Sequence, residues 1–350
     1  MATDATNEFG RLVIDGSIDL TQFWPSGSSD ADTTKILVDV RPGSFRYFAP
    51  GARRAQKLTC YDKAYVLERG KPKYVLRNGA IVVRVQGVDA PELHYSPQYV
   101  KALGSLAGKG VVKHYRQRQA ETATVLLAAE LQRRAGRSSK VAVTVVSMVK
   151  HAEGPSSAID MYGRVVADLY VKDRATPVNQ WILANGLAIV AVYDGMSASE
   201  IDGCIDSWKR GRKVSVRRFL SRRTLDFDPT LIERRRVRNS VPAIEDEKRL
   251  GYILPKLYRR QTTWWAYREV GAHSLSLREY LGTHGARDKV YSLSEFRRRG
   301  VQASLVPFAD CFDDQRLLKN PAAMVFTEGG GDLYERPPGA ERGVKIVEWR

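Results

Sequence analysis

The sequence predicts an α+β chain built around a small β-barrel with packed helices, and three observations carry that expectation. Strand patterns crowd the first half, helical patterns lie between and after them, and 350 residues suffice for a large domain with an appendage. In chain order, "TTKILVDV" (33–40), "AIVVRVQGV" (80–88), "KVAVTVVSMV" (140–149) and "RVVADLYV" (164–171) are rich in β-branched residues and bounded by turn formers, so they read as strands. "FRYF" and "KAYVL" are weaker strands in a Gly-, Pro- and Arg-containing stretch that reads as extended hairpins. In "AETATVLLAAELQRRAG" the residues Ala123, Leu126, Leu127 and Leu131 share one helical face, with basic residues at the end and Gly136 as the stop. "TPVNQWILANGL" reads as a short helix with Thr176 as a candidate N-cap, Pro177 in its first turn and Gly186 at its end. A further helix begins at Ser197 or Ser199.

Composition narrows the partners. With 43% hydrophobic and 27% charged residues the chain is ordinary for a soluble globular protein, but 56 Lys and Arg against 39 Asp and Glu leave it at +17, which favours a polyanionic partner such as nucleic acid or an anionic membrane surface. No apolar run approaches a membrane span, so no membrane role is expected. The N-terminal "MATDATNEFGRLVIDGSIDL" has neither a basic n-region nor a long apolar h-region, and Cys60, Cys204 and Cys311 are too few and too scattered for a disulfide framework or a zinc ribbon. A cytoplasmic chain is the expectation. The five histidines form no metal-ligand spacing. Lys209 to Arg238 is dense in basic residues, and "LPKLYRRQTTWWAYREV" mixes arginines with aromatics, of which Trp264 and Trp265 read as core of a C-terminal subdomain.

The stretch "RVQGVDAPE" (84–92) carries the chemistry. Alternation puts Ile81, Val83 and Val85 on one face of a strand and Val82, Arg84 and Gln86 on the other. Pro91 cannot extend a ladder, so the strand is expected to end near Val88 and turn through Asp89 and Ala90, leaving a guanidinium and two carboxylates at a strand end. Two more pieces accompany it: "DADT" (30–33) before the first strand, and "DMYGR" (160–164), in which Gly163 allows a tight turn and Arg164 opens a strand.

In this order, and followed by the "ANGLA" turn, these motifs resemble the staphylococcal nuclease family, whose pattern is D-G-D-T, R-x-x-x-x-D-x-P-E, D-x-Y-G-R and N-G-L-A, over residues 30 to 195. The resemblance implies an OB-type five-stranded β-barrel with packed helices, followed here by a C-terminal α-rich or mixed extension, and hydrolysis of phosphodiester bonds of DNA or RNA with calcium. It implies that Asp32, Asp89 and the carbonyl of Ala90 bind Ca2+, that Glu92 activates water, and that Arg84 and Arg164 bind the phosphate. For contact with substrate, Tyr162 matches the tyrosine of the family's D-x-Y-G-R motif, and the family's aromatic pair near the helix end is reduced here to Tyr193. The chemistry suits the residues: calcium takes about 6 to 8 hard oxygens, and guanidinium forks match a phosphate whose equatorial oxygens gain charge.

The chain departs from the pattern at Ala31, in place of glycine, which would strain the turn if it required positive φ. The long interval from Asp32 to Arg84 implies an insertion over about 41–79, within which Asp62 is an alternative metal ligand. The expected organisation is a nuclease-like domain over 1–222, a basic linker over 223–241 and an extension over 242–350. A second reading keeps the barrel as a catalytically weak module that binds nucleic acid or a protein partner.

Overall fold

The computed structural model describes residues 8–23, 26–39, 44–95, 116–117, 119–171, 175–213, 254–269, 271–283, 288–313, 318–327, 332–336 and 341–350. Five strands close a mixed barrel: β1 (Phe9–Asp19), β2 (Thr33–Val38), β3 (Ala80–Val85), β4 (Lys140–Lys150) and β5 (Val165–Val171). The ring runs β1–β2–β3–β5–β4 and closes by β4 pairing antiparallel with β1 along its whole length, from Phe9 opposite Lys150 to Asp19 opposite Lys140. The contact between β3 and β5 is parallel and the others are antiparallel. Closure leaves these strands no open ladder between them and buries one face of each. In β3 the buried residues are Ile81, Val83 and Val85, the face that alternation assigns to the core.

Residues 9–19 are the barrel's unanticipated strand. Their three adjacent apolar residues Leu12, Val13 and Ile14, followed by "DGS", break the alternation that marks a strand in sequence, yet β1 bridges β4 on one side and two strands on the other. Gly16 is where it meets β2, and a Cβ there would run into the Leu37 carbonyl.

Helix α1 (Gln119–Ala135) buries Ala123, Leu127 and Leu131 and stops at Gly136, φ +67°. Helix α2 (Val178–Ala184) begins one step later than expected: Pro177 occupies the N-cap position with no side-chain cap bond, so Thr176 does not serve. Helix α3 (Ala198–Gly211) is capped by Ser197 and Glu200, which exchange reciprocal hydrogen bonds across the first turn.

Between β2 and β3 the chain forms Phe45–Phe48, which pairs with the part of β1 that β2 does not reach, and a hairpin of Tyr65–Glu68 with Lys71–Tyr74. The C-terminal residues return to this surface: Tyr334 pairs with Tyr65, Leu333 and Ile346 are buried in the barrel's cluster, and Trp349 stacks on Tyr47 with ring centroids 4.0 Å apart. The extension is mixed. It contains helix α4 (Pro255–Glu269), two shorter helices and a small sheet in which Met324–Phe326 pairs parallel with Val192–Tyr193. Trp264 is buried in this part of the core and Trp265 packs against it. Residues 223–241, expected as a basic linker, lie outside the described residues, as does most of the basic run after Lys213.

A buried polar group fixes the turn that leads to the site. The chain leaves β3 at Val85, earlier than expected, because Gly87 adopts φ +71° and a Cβ there would stand 2.5 Å from Cys204 Sγ. Asn179 Nδ2 donates to the Gln86 carbonyl at 3.1 Å and to Asp168 Oδ1 at 2.6 Å. Burial lifts the Asp168 carboxyl to about 6, against the hydrogen bonds from Asn179 and Tyr170. Because the folded value exceeds the unfolded one, this residue's contribution is intact below about pH 4 and is lost as pH rises through about 6. Asp168→Asn, whose amide oxygen can still accept from Asn179, should remove that dependence. The stability of wild type relative to the variant is expected to fall by about 3 kcal/mol between pH 4 and pH 8, measured by urea unfolding. A flat difference would refute it.

Candidate active site

Strand registers assemble the site. Thr33 pairs with Arg84 across β2 and β3, and Val166 pairs with Arg84 across β5 and β3, so the residue preceding β2, the end of β3 and the start of β5 meet at one rim. The Asp32 carbonyl also accepts the Val85 N–H at 2.8 Å. Beyond Gly87 the chain resumes as Val88–Asp89, paired with Ile189–Val190, before Ala90 and Pro91 turn it toward Glu92.

Arg84 is the centre of the cluster. Its Nη1 lies 3.2 Å from Asp32 Oδ2, and its Nη2 lies 3.3 Å from Asp89 Oδ1 and donates to the Val88 carbonyl at 3.1 Å. The Ala90 N–H donates to Asp32 Oδ2 at 3.1 Å, and the Thr33 hydroxyl donates to Asp32 Oδ1 at 2.9 Å. One fork therefore bridges the two aspartates, with the Ala90 backbone beside them. Arg164 is held by its own turn: Asp160 Oδ1 accepts the N–H groups of Tyr162 and Arg164, and Asp160 Oδ2 stands 2.7 Å from Arg164 Nε. Gly163, φ +74°, makes that turn possible. Arg164 Nη1 reaches Thr33 Oγ1 at 3.4 Å, which joins the second arginine to the rim.

Glu92 is positioned from two sides. Its N–H donates to Gln117 Oε1 at 2.9 Å while Gln117 N–H donates to its carbonyl at 2.8 Å. Its carboxylate forms an ion pair with Arg259 of α4, whose Nη1 is also 3.7 Å from Asp89 Oδ1. The Lys256 N–H at the start of α4 donates to Asp89 Oδ2 at 3.2 Å. Sequence reasoning flagged the arginines of this helix only as one basic, aromatic stretch. Nothing in the spacing could place Arg259 beside a residue 167 positions away, because that meeting is set by tertiary docking.

The electrostatics separate the acids. Burial acts to raise the Asp32 carboxyl, but Arg84, the Ala90 N–H, Arg164 and the Thr33 hydroxyl outweigh it and hold it below the ordinary range. Burial raises Glu92, with Asp32 and Asp89 adding to it and Arg259 opposing. Asp30, which caps the turn by accepting the Thr33 N–H at 2.8 Å, is pushed well up by burial and by the neighbouring Asp32 and Glu92. Arg84 is held above its ordinary value: burial works against the charge, and Asp32, Tyr193, Asp89 and Glu92 overcome it.

The remaining expected residues are placed as follows. Tyr162 is exposed, with the Arg164 guanidinium 5.2 Å over its ring. Tyr193 is partly buried against Phe326, with Lys256 Nζ 6.0 Å from its ring centre. Asp62 stands exposed on the 3-10 turn Cys60–Lys63, whose Tyr61 is buried against Phe45 and bonded to the Pro155 carbonyl, and it makes no bond to the Arg84 cluster among the described residues. Ala31 is buried without strain, since Arg69 and Asn78 are the described non-glycine residues with positive φ.

These features define a closed five-stranded OB-type barrel with two arginines and a carboxylate group at one rim. Residues 82–210 match the family model described as staphylococcal nuclease homologue, a family whose members are generally nucleases. The match includes Arg84, Asp89, Ala90, Glu92, Tyr162, Arg164 and Tyr193 and begins beyond Asp32. No curated protein matches the chain. Among the described residues no group of three or more His, Cys, Asp or Glu could hold a metal ion, and no helix is long and apolar enough to cross a membrane. The donors present, two carboxylates gathered on one guanidinium beside a backbone turn, are hard oxygens of the class calcium takes, with carbonyl and water ligands making up the number.

Proposed function

We propose that this protein is a calcium-dependent nuclease that hydrolyses phosphodiester bonds of DNA or RNA at the barrel rim. The observation that carries the reading is the Arg84 fork joining Asp32 to Asp89 at the strand end that leads to Glu92, with Arg84, Asp89 and Glu92 inside the residues that match staphylococcal nuclease homologues. Asp32, Asp89 and the Ala90 carbonyl would hold calcium, which when bound supplies positive charge to a phosphate oxygen. Arg84 and Arg164 donate N–H groups to the equatorial oxygens, where charge grows as water attacks phosphorus. Glu92, lifted above the ordinary carboxylate range by burial, is suited to take the proton of that water. Tyr162 and Tyr193 flank the rim as aromatic surfaces for a base or sugar. The net charge of +17 suits a polyanionic substrate.

The test uses plasmid and single-stranded DNA and RNA with calcium or with chelator. Wild type should cleave with calcium and not with chelator, and Glu92→Gln and Arg164→Ala should each lose about 100-fold or more of the rate. Equal behaviour of wild type and both variants would remove the nuclease reading and leave a binding module.

A further inference from the structure

We propose that Arg259 is a third phosphate-binding arginine of the rim, so that helix α4 completes the site that the barrel begins. The inference rests on the nuclease reading above and adds a residue from outside the matched domain.

Position is the first argument. Arg259 sits on the second turn of α4, whose start is pinned to the site by the Lys256 N–H on Asp89. The same helix is anchored away from the rim by Arg260, which grips Asp288 through Nε at 2.8 Å and Nη2 at 3.0 Å, and by the Tyr95 hydroxyl on the Arg259 carbonyl at 3.2 Å. The backbone under Arg259 is therefore held by contacts other than its own ion pair. Its guanidinium reaches both Glu92 and Asp89.

Hydrogen-bonding capacity is the second. Among the described residues Arg259 is engaged through Nη1, with no hydrogen bond at Nε or Nη2, and the side chain keeps 26% exposure against 12% for Arg84. A guanidinium that spends one nitrogen on carboxylates and leaves an edge of N–H groups open presents the geometry that takes two phosphate oxygens at once.

Charge is the third. Arg164 is matched by Asp160, and Asp288 is shared between Arg260 and the more distant Lys256, so the groups in contact at the rim are Asp32, Asp89 and Glu92 facing Arg84 and Arg259, with Lys256 at the edge. Without Arg259, three carboxylates face one guanidinium, and a phosphodiester approaches against repulsion. A bound dication would then only cancel the excess. Arg259 supplies the surplus positive charge that an anionic substrate needs in a poorly solvated site.

The experiment compares full-length wild type, Arg259→Ala and Arg259→Lys. It measures cleavage of a single-stranded oligonucleotide with calcium, affinity for the same oligonucleotide in chelator, and thermal unfolding. Arg259→Ala should lower kcat/KM by about 100-fold or more and weaken binding about tenfold, as removal of a phosphate-facing donor does. Arg259→Lys keeps a charge against Glu92, so it should melt close to wild type yet recover no more than about a tenth of the rate, since it lacks the planar fork. If alanine unfolds the chain, the lysine variant decides. Wild-type cleavage in the folded variants would overturn the proposal. Faster cleavage would overturn it too, and would make α4 a clamp that occupies Glu92. If wild type cleaves nothing, the nuclease reading fails on its own, and equal oligonucleotide binding by wild type and variants would then overturn the Arg259 assignment separately.

Discussion

Arg84→Ala should cost about 3 kcal/mol of stability in metal-free buffer and at least about 100-fold of the proposed cleavage rate, the largest combined effect of any single substitution at the rim. The stability loss follows from what the guanidinium holds apart. Asp32 and Asp89 are both buried, each within 3.3 Å of a different nitrogen of the same fork. Truncation leaves two carboxylates side by side in a poorly solvated place, with Asp32 keeping the neutral donors of Ala90 and Thr33 and the more distant charge of Arg164, and Asp89 keeping Arg259 at 3.7 Å. The catalytic loss has a separate origin, since the same fork contacts both proposed calcium ligands. Arg84→Lys divides the two effects: a point charge restores part of the stability but cannot bridge both aspartates and a phosphate. Calcium should raise the melting temperature of Arg84→Ala more than that of wild type, because a dication balances the carboxylates that lost their partner. Urea unfolding with and without calcium checks this, and a loss below about 1 kcal/mol for Arg84→Ala would mean that the pair is not the main tie at this rim.

What the sequence made legible, and what it hid, divides along the range of the interactions. The alternation in "AIVVRVQGV" was enough to turn Arg84 away from the core, because side-chain direction in a strand is a local property. Gly163 was likewise readable as a turn, and the strand begins at Val165, one residue after the expected Arg164. The early exit of the chain at Val85 was not, since it depends on Gly87 lying against Cys204, more than a hundred residues later. β1 was hidden because its buried residues include the adjacent Leu12, Val13 and Ile14 rather than every second position. The same limit applies to Thr176: a cap-forming residue beside Pro177 is a sound local signal, and the backbone placed the cap one residue on. Arg259 shows the limit most clearly. Its helix was visible as a basic aromatic segment, but its meeting with Glu92 is fixed by Lys256, Arg260 and Tyr95 acting from different parts of the chain.

Asp32→Ala should weaken calcium binding by at least about tenfold and lower cleavage by about 100-fold, whereas Asp62→Ala should stay within about twofold of wild type on both measures. The contrast decides the one ligand that lies outside the matched residues 82–210. Both aspartates precede Arg84 in sequence; spacing alone favours Asp62, and the D-x-D-T context favours Asp32. Geometry separates them. Asp32 is buried at the rim, 3.2 Å from the Arg84 fork, and is held below the ordinary carboxylate range, so it stays ionised and ready to meet a cation. Asp62 is exposed on a turn anchored to Pro155, Phe45 and the C-terminal Trp349 through Tyr61. A carboxylate in that position is exposed to water, so enlisting it would cost the ordering of its side chain and a shift of the whole insertion. Isothermal titration with calcium, followed by cleavage assays on the same preparations, measures both quantities. Loss of calcium affinity in Asp62→Ala with Asp32→Ala unaffected would transfer the ligand to the insertion and leave Asp32 as the counter-charge that orients Arg84.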